Sequence, residues 1–119
     1  DFIKHCMSLY NTRFSDPDGM RRSVLRAEVL FHFFRHEWPR FDFLPELSKI
    51  CCPTLVLGGE EDPTTPIEDQ EDIAAAIRPD LVQFHRFPDC GHGAYRDCPD
   101  QAIPMIRDFI LRSWQEPTS

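Results

Sequence analysis

The chain has 119 residues, 41% of them hydrophobic, with ten Phe and a formal charge of −7. That length allows one small domain and not two, and the composition is globular rather than disordered. The acidic balance argues against a nucleic-acid partner, and no apolar run reaches membrane-span length. The first residues carry no charged-then-apolar-then-small leader pattern, and a cytoplasmic location is expected from cysteines that read as reduced thiols. The first residue is Asp1 rather than Met, as expected of a chain whose start lies upstream.

The first part of the chain lacks β-type alternation. A short helix is predicted near Phe2 to Tyr10, followed by a loop at "SDPDG". Met20, Val24, Leu25, Val29, Leu30, Phe33 and Phe34 fall near helical spacing. They predict one helix from about Pro17 to Glu37, stopped by Pro39. Helices this apolar must cover something. Phe31, Phe33, Phe34 and Trp38 read as packing residues, with an apolar pocket lining as the alternative. His32 and His36 have metal-ligand spacing, but Glu37 directly after them fits neither H-E-x-x-H nor H-x-x-E-H, so no metal is expected.

The second part reads differently. "CPTLVLGG" holds a short apolar run, Leu55 to Leu57, between a proline and a glycine pair. It predicts a strand buried on both faces. In "TPIEDQEDIAAAIRP" Thr65 reads as an N-cap, Pro66 as the first helical residue and Glu68 as the partner in a capping box. Ile67, Ile73, Ala74 and Ile77 form the helix's apolar face, and Pro79 ends it. Val82 to Phe87 is the next strand. Strand, helix and strand within about thirty residues make a parallel βαβ unit with a right-handed crossover. A last helix carries Ala102, Ile103, Ile106, Phe109, Ile110 and Trp114. Pro104 inside it predicts a distorted first turn or a late start.

Two parallel strands do not make a stable sheet, because such sheets need both faces covered and further strands. The sequence therefore reads as the C-terminal part of a larger α/β protein. The five cysteines form no C-x-x-C pair. They read as reduced thiols, several of them buried as small hydrophobes, with no zinc or thioredoxin-like site. A Cys90–Cys98 bridge is open but not indicated.

In open parallel sheets ligand groups gather beyond the carboxyl ends of the strands. "GGEEDP" leaves the first strand there and "DCGHG" leaves the second. Asp62 and His92 are thirty positions apart, yet adjacent parallel strands bring their loops together. A carboxylate beside an imidazole fixes the ring's tautomer and stabilises the imidazolium after proton transfer. Singly, each has a plainer reading: Asp62 as a turn residue bonding nearby amides, His92 as a surface turn residue. Glu60 and Glu61 are neighbouring acids, but the strand-turn register favours Asp62. Gly91 and Gly93 give the turn its backbone freedom.

"CPTLVLGGEEDPTTP" followed by "FHRFPDCGHGAYRDCPDQAIPMIRDFI" resembles the C-terminal half of α/β-hydrolase fold enzymes, in particular the proline iminopeptidase-like group. "YNTR" and "VLFHFF…FDFLPEL" resemble the end of that group's helical cap. The resemblance implies an α/β fold, with residues 1–43 as the end of the cap or lid. Residues 44–119 then form the C-terminal part of the core, a parallel βαβ unit plus the last helix. It implies a triad in the chain order nucleophile, acid, histidine, with Asp62 as the acid and His92 as the general base. The group's cap motif Glu-Asn-His-Tyr-Phe aligns with Leu30-Phe31-His32-Phe33-Phe34. His32 and Phe34 are kept and Leu30 replaces the acid. Glu28 and Glu37 are the nearby acids that could substitute for it, though neither is in register, and His32, Phe34 and Glu37 are the candidate substrate-binding residues.

No serine here stands in a G-x-S-x-G elbow. The chain alone is expected to be inactive and to need the N-terminal half of the fold. The resemblance implies a serine hydrolase acting on an ester, an amide or a short peptide, with no cofactor, no metal, no nucleic acid and no membrane partner. The alternatives are a non-catalytic α/β-hydrolase-like binding module and an inactive truncated fragment.

Overall fold

The computed structural model describes Asp18, Arg22, Val24 and residues 26–114. The helix expected near Phe2 to Tyr10 lies outside the described residues. The single helix expected over Pro17–Glu37 is interrupted. Arg22 is helical, but Val24 is not, and Arg26 is extended (φ −101°, ψ 98°). Helix α1 runs Ala27–His32 and widens into a π turn at Phe33–Glu37, then tightens into a 3₁₀ turn at Trp38–Arg40. Pro39 sits inside that last turn, where the opening positions need no N–H donor. The aromatic side chains hold this segment together: Phe33 meets Phe34, Trp38 and Phe41 edge-on, and Phe41 meets Phe43.

A 3₁₀ helix at Leu44–Lys49 leads into strand β1, Thr54–Gly59. Helix α2 spans Ile67–Ala76 and strand β2 spans Val82–Phe87. The strands pair in parallel, Thr54 against Val82 through Gly59 against Phe87. This is the expected βαβ unit. Arg86 ties it together on the outside, pairing with Glu60 at the end of β1 and with Glu71 on α2.

Three local expectations are corrected. The capping box is absent: α2 starts after an extended Pro66, with no side-chain cap, because the Thr65 hydroxyl is drawn to Asp62 instead. Ile77 leaves the helix, turning extended (φ −89°, ψ 148°) and 2% exposed, so α2 stops before Pro79. The last helix, α4, begins early, at Pro99, and continues through Pro104 to Trp114. The Cys98 carbonyl accepts the first bonds, from the Gln101 and Ala102 N–H groups, and Pro99 takes the first helical position. Ala102 is fully buried, whereas Ile103, Ile110 and Trp114 of the expected stripe are 52%, 53% and 87% exposed.

The cysteines also depart from the all-reduced expectation. Cys90 and Cys98 are disulfide-bonded, with Cα atoms 6.5 Å apart. Cys51 and Cys52 are free but exposed, so they do not act as core hydrophobes. The buried cluster consists of Phe87, Cys90, Ala94 and Ala102, with Leu57, Cys98 and Met105 packed against it. It therefore lies directly beneath the histidine loop, with the short helix α3 (Ala94–Asp97) between β2 and α4. Among the described residues no helix is long and apolar enough to cross a membrane.

Candidate active site

The carboxyl ends of β1 and β2 are joined by their backbones. The Glu60 N–H donates to the Phe87 carbonyl and the Glu61 N–H to the Cys90 carbonyl. The approach is close enough to require glycine at the end of β1. A Cβ on Gly59 would lie 2.3 Å from the Gly91 oxygen and 2.4 Å from the Cys90 oxygen. Beyond β2 the chain turns through Gly93, whose φ of +112° suits glycine. Gly91 has no such conformation and serves differently: its N–H donates to Asp97 Oδ2 at 2.8 Å. The Arg96 guanidinium donates to the His92 carbonyl.

These constraints bring Asp62 and His92 together. His92 Nδ1 lies 2.9 Å from Asp62 Oδ2 and 3.2 Å from Oδ1. The Asp62 side chain is 7% exposed and that of His92 is 40% exposed. Asp62 also accepts the Thr64 N–H at 2.7 Å, the Thr65 N–H at 3.0 Å and the Thr65 hydroxyl at 2.7 Å. Burial alone would push the Asp62 carboxyl up. The Thr65 hydroxyl, the Thr65 and Thr64 amides and His92 outweigh that and hold it below the ordinary aspartate value. An ionised carboxylate only accepts, so the proton between the groups belongs to Nδ1 and Nε2 is the basic nitrogen. The pair thus has the polarity of a general base backed by an orienting carboxylate.

Thr64 and Thr65 escaped the sequence reading as partners of Asp62. The signal was present: an aspartate followed two and three residues later by threonines is an Asx-type turn. Asp97 escaped as well, having no local pattern to mark it.

The cap candidates lie elsewhere. His32 Nε2 pairs with Glu37 at 3.3 Å, its ring lies 5.0 Å from that of His36, and both partners of the pair are solvent-exposed. Phe34, 54% exposed, packs on Phe33 and Trp38. Among the described residues no group of three metal-ligating side chains occurs. A cleft of about 470 Å³ runs between Phe41–Leu47 and α2, where Asp69, Asp72 and Ile73 face it.

The α/β hydrolase fold family model matches residues 3–97. The chain is 31% identical over 72 residues to the 2-hydroxy-6-oxononadienedioate/2-hydroxy-6-oxononatrienedioate hydrolase of Klebsiella pneumoniae, covering 60% of this chain and 24% of that protein. It is 22% identical over 118 residues to monoacylglycerol lipase abhd6-A of Xenopus laevis, covering 92% and 34%. A solved thermophilic esterase from Thermogutta terrifontis superposes with a TM-score of 0.56 at 35% identity, covering 62% of this chain and 26% of that one. The chain spans about a quarter to a third of the length of the curated relatives it matches. With its parallel βαβ unit and a family-model match over most of its length, the chain belongs to the α/β hydrolase fold family.

Proposed function

We propose that this chain supplies the acid and the base of a Ser-His-Asp triad in a serine hydrolase, the serine lying in a segment outside it. The observation that carries this is the 2.9 Å contact between His92 Nδ1 and the buried Asp62 carboxylate, formed across two adjacent strand ends. His92 Nε2 takes the proton of the serine hydroxyl as it attacks a carbonyl carbon, then delivers that proton to the leaving group. Asp62 stabilises the imidazolium in between. A water molecule, deprotonated by the same nitrogen, then releases the acyl group. None of the six serines of this chain is flanked by glycines as an elbow requires, so the chain by itself is inactive by this route.

An ester is the favoured substrate. Among the relatives a thermophilic esterase and a monoacylglycerol lipase support an ester, while the dienedioate hydrolases are named for 2-hydroxy-6-oxo acids. The narrower proline iminopeptidase-like reading rests on the resemblance of the core motifs and, more loosely, of the cap stretch, and it is in the cap stretch that the chain departs from it. There Leu30 stands where the group's acid would hold a substrate amine, which weighs against an aminopeptidase.

The test is turnover of an activated ester by the full-length protein. Asp62→Asn and His92→Ala should each lower kcat by roughly 10³- to 10⁴-fold with the fold intact. Near-normal turnover in either variant refutes the triad assignment.

A further inference from the structure

The disulfide encloses the proposed base. Cys90 and Cys98 are eight positions apart, and His92 lies between them with both of its flanking glycines. Each end of the bridge is tied to a different part of the site. The Cys90 carbonyl accepts the Glu61 N–H, one residue before the Asp62 acid. The Cys98 carbonyl accepts the first amides of α4. The bridge therefore fastens the start of the last helix to the turn that carries the acid, and the His92 loop spans the gap. Cys90 is fully buried, while Cys98 is half-buried, so Cys98 is the end of the bridge nearer to solvent and the one at which an external thiolate would enter.

We propose that the Cys90–Cys98 pair is a redox modification site that governs the alignment of His92 on Asp62. It rests on the reading of His92 as the general base. The co-reactant is a thiol reductant. Its thiolate attacks Cys98 Sγ and the S–S bond breaks with Cys90 leaving as a thiolate. A second thiolate then attacks the mixed disulfide and frees Cys98. Two electrons pass from the reductant, which becomes a disulfide, and its two protons end on the Cys90 and Cys98 thiols. Once open, the bridge no longer ties the Gly91–His92–Gly93 turn covalently to the start of α4, and the turn is held by hydrogen bonds such as those to Asp97, Arg96 and Asp62. Small displacements of a base from its partner carry large rate penalties.

The experiment uses the full-length protein with Cys6, Cys51 and Cys52 changed to serine, and dithiothreitol as the dithiol. Reduction should lower kcat/KM on an activated ester by roughly 10- to 100-fold, and oxidised glutathione should restore it. A Cys90→Ser/Cys98→Ser variant should stay near the reduced value in either buffer. Hydrogen exchange at the Glu61 and Gly91 amides should quicken on reduction. Fully reduced protein with kcat/KM within about twofold of the oxidised form overturns the proposal, as does failure of the two thiols to pair under oxidising conditions. If oxidised protein has no turnover that His92→Ala removes, the base reading fails. The amide exchange then still decides the latch: faster exchange on reduction supports it and unchanged exchange overturns it.

Discussion

Asp62 is held by four hydrogen-bonding groups: the Thr64 and Thr65 amides, the Thr65 hydroxyl and the His92 ring. Three of them are local, so the carboxylate is oriented by its own turn before the histidine loop arrives. The Thr65 hydroxyl is the simplest to remove. Thr65→Val keeps the shape and deletes one bond to a charged group, which costs about 1.5–3 kcal/mol. It should also raise the Asp62 pKa, read from the carboxyl carbon shift across an acid titration; an unmoved value would show the amides suffice. The pH dependence follows in sign. The Asp62 carboxyl is lowered from 3.8 on folding. Its ionisation therefore stabilises the protein above the unfolded value, and that contribution fades as pH falls through the lowered folded value. In Thr65→Val it should fade at a higher pH, visible as an earlier acid limb in urea-midpoint measurements.

At the scale of elements, the site depends on how closely β1 can approach the turn after β2. Gly59 sets that distance. In Gly59→Ala the new methyl meets backbone oxygens at 2.3 and 2.4 Å, and neither can rotate away as a side chain would. Overpacking of this kind costs typically 1–3 kcal/mol, occasionally more. Relief requires the histidine loop to lift, so the variant should lose both stability and kcat. A variant with an unchanged urea midpoint would show that the loop shifts freely. The two strands, their parallel pairing and the Asp62–His92 meeting were legible in the sequence, because an apolar run between Pro and Gly, a helix ended near Pro79 and a second strand follow within about thirty residues and so make a parallel βαβ unit. What was not legible involved competition for a group. Thr65 looked like a helix cap until Asp62 took its hydroxyl. Pro104 predicts a distorted first turn or a late start, whereas Pro99, with the Cys98 carbonyl ahead of it, takes the first helical position. A cysteine spacing of eight says nothing of pairing until the turn through Gly93 folds back. The cap helix was broken at Val24 and Arg26, where nothing in the spacing marked an interruption.

Across the described residues as a whole, large apolar side chains stay exposed. On α4, Ile103, Ile110, Leu111 and Trp114 are each at least half exposed, and the Phe31–Phe43 stretch adds Phe31, Phe34, Trp38, Phe41 and Phe43. Fully burying one such side chain contributes about 1.5–3 kcal/mol, so roughly half of that is forgone at each half-exposed position. The sheet meanwhile has only two parallel strands among the described residues, below what stands alone in water. Both deficits point the same way as the length comparison, in which relatives are roughly two and a half to three times longer. Additional strands beside β1 and β2 would cover α4 and complete the sheet in one step. The 119-residue chain produced alone should therefore bind a hydrophobic dye strongly and unfold in urea over a broad range. The full-length protein should bind little dye and unfold cooperatively. A sharp two-state transition without dye binding in the isolated chain would mean that the small cluster around Phe87 and Cys90 is sufficient, and that the exposed apolar faces have some use other than burial within the same fold.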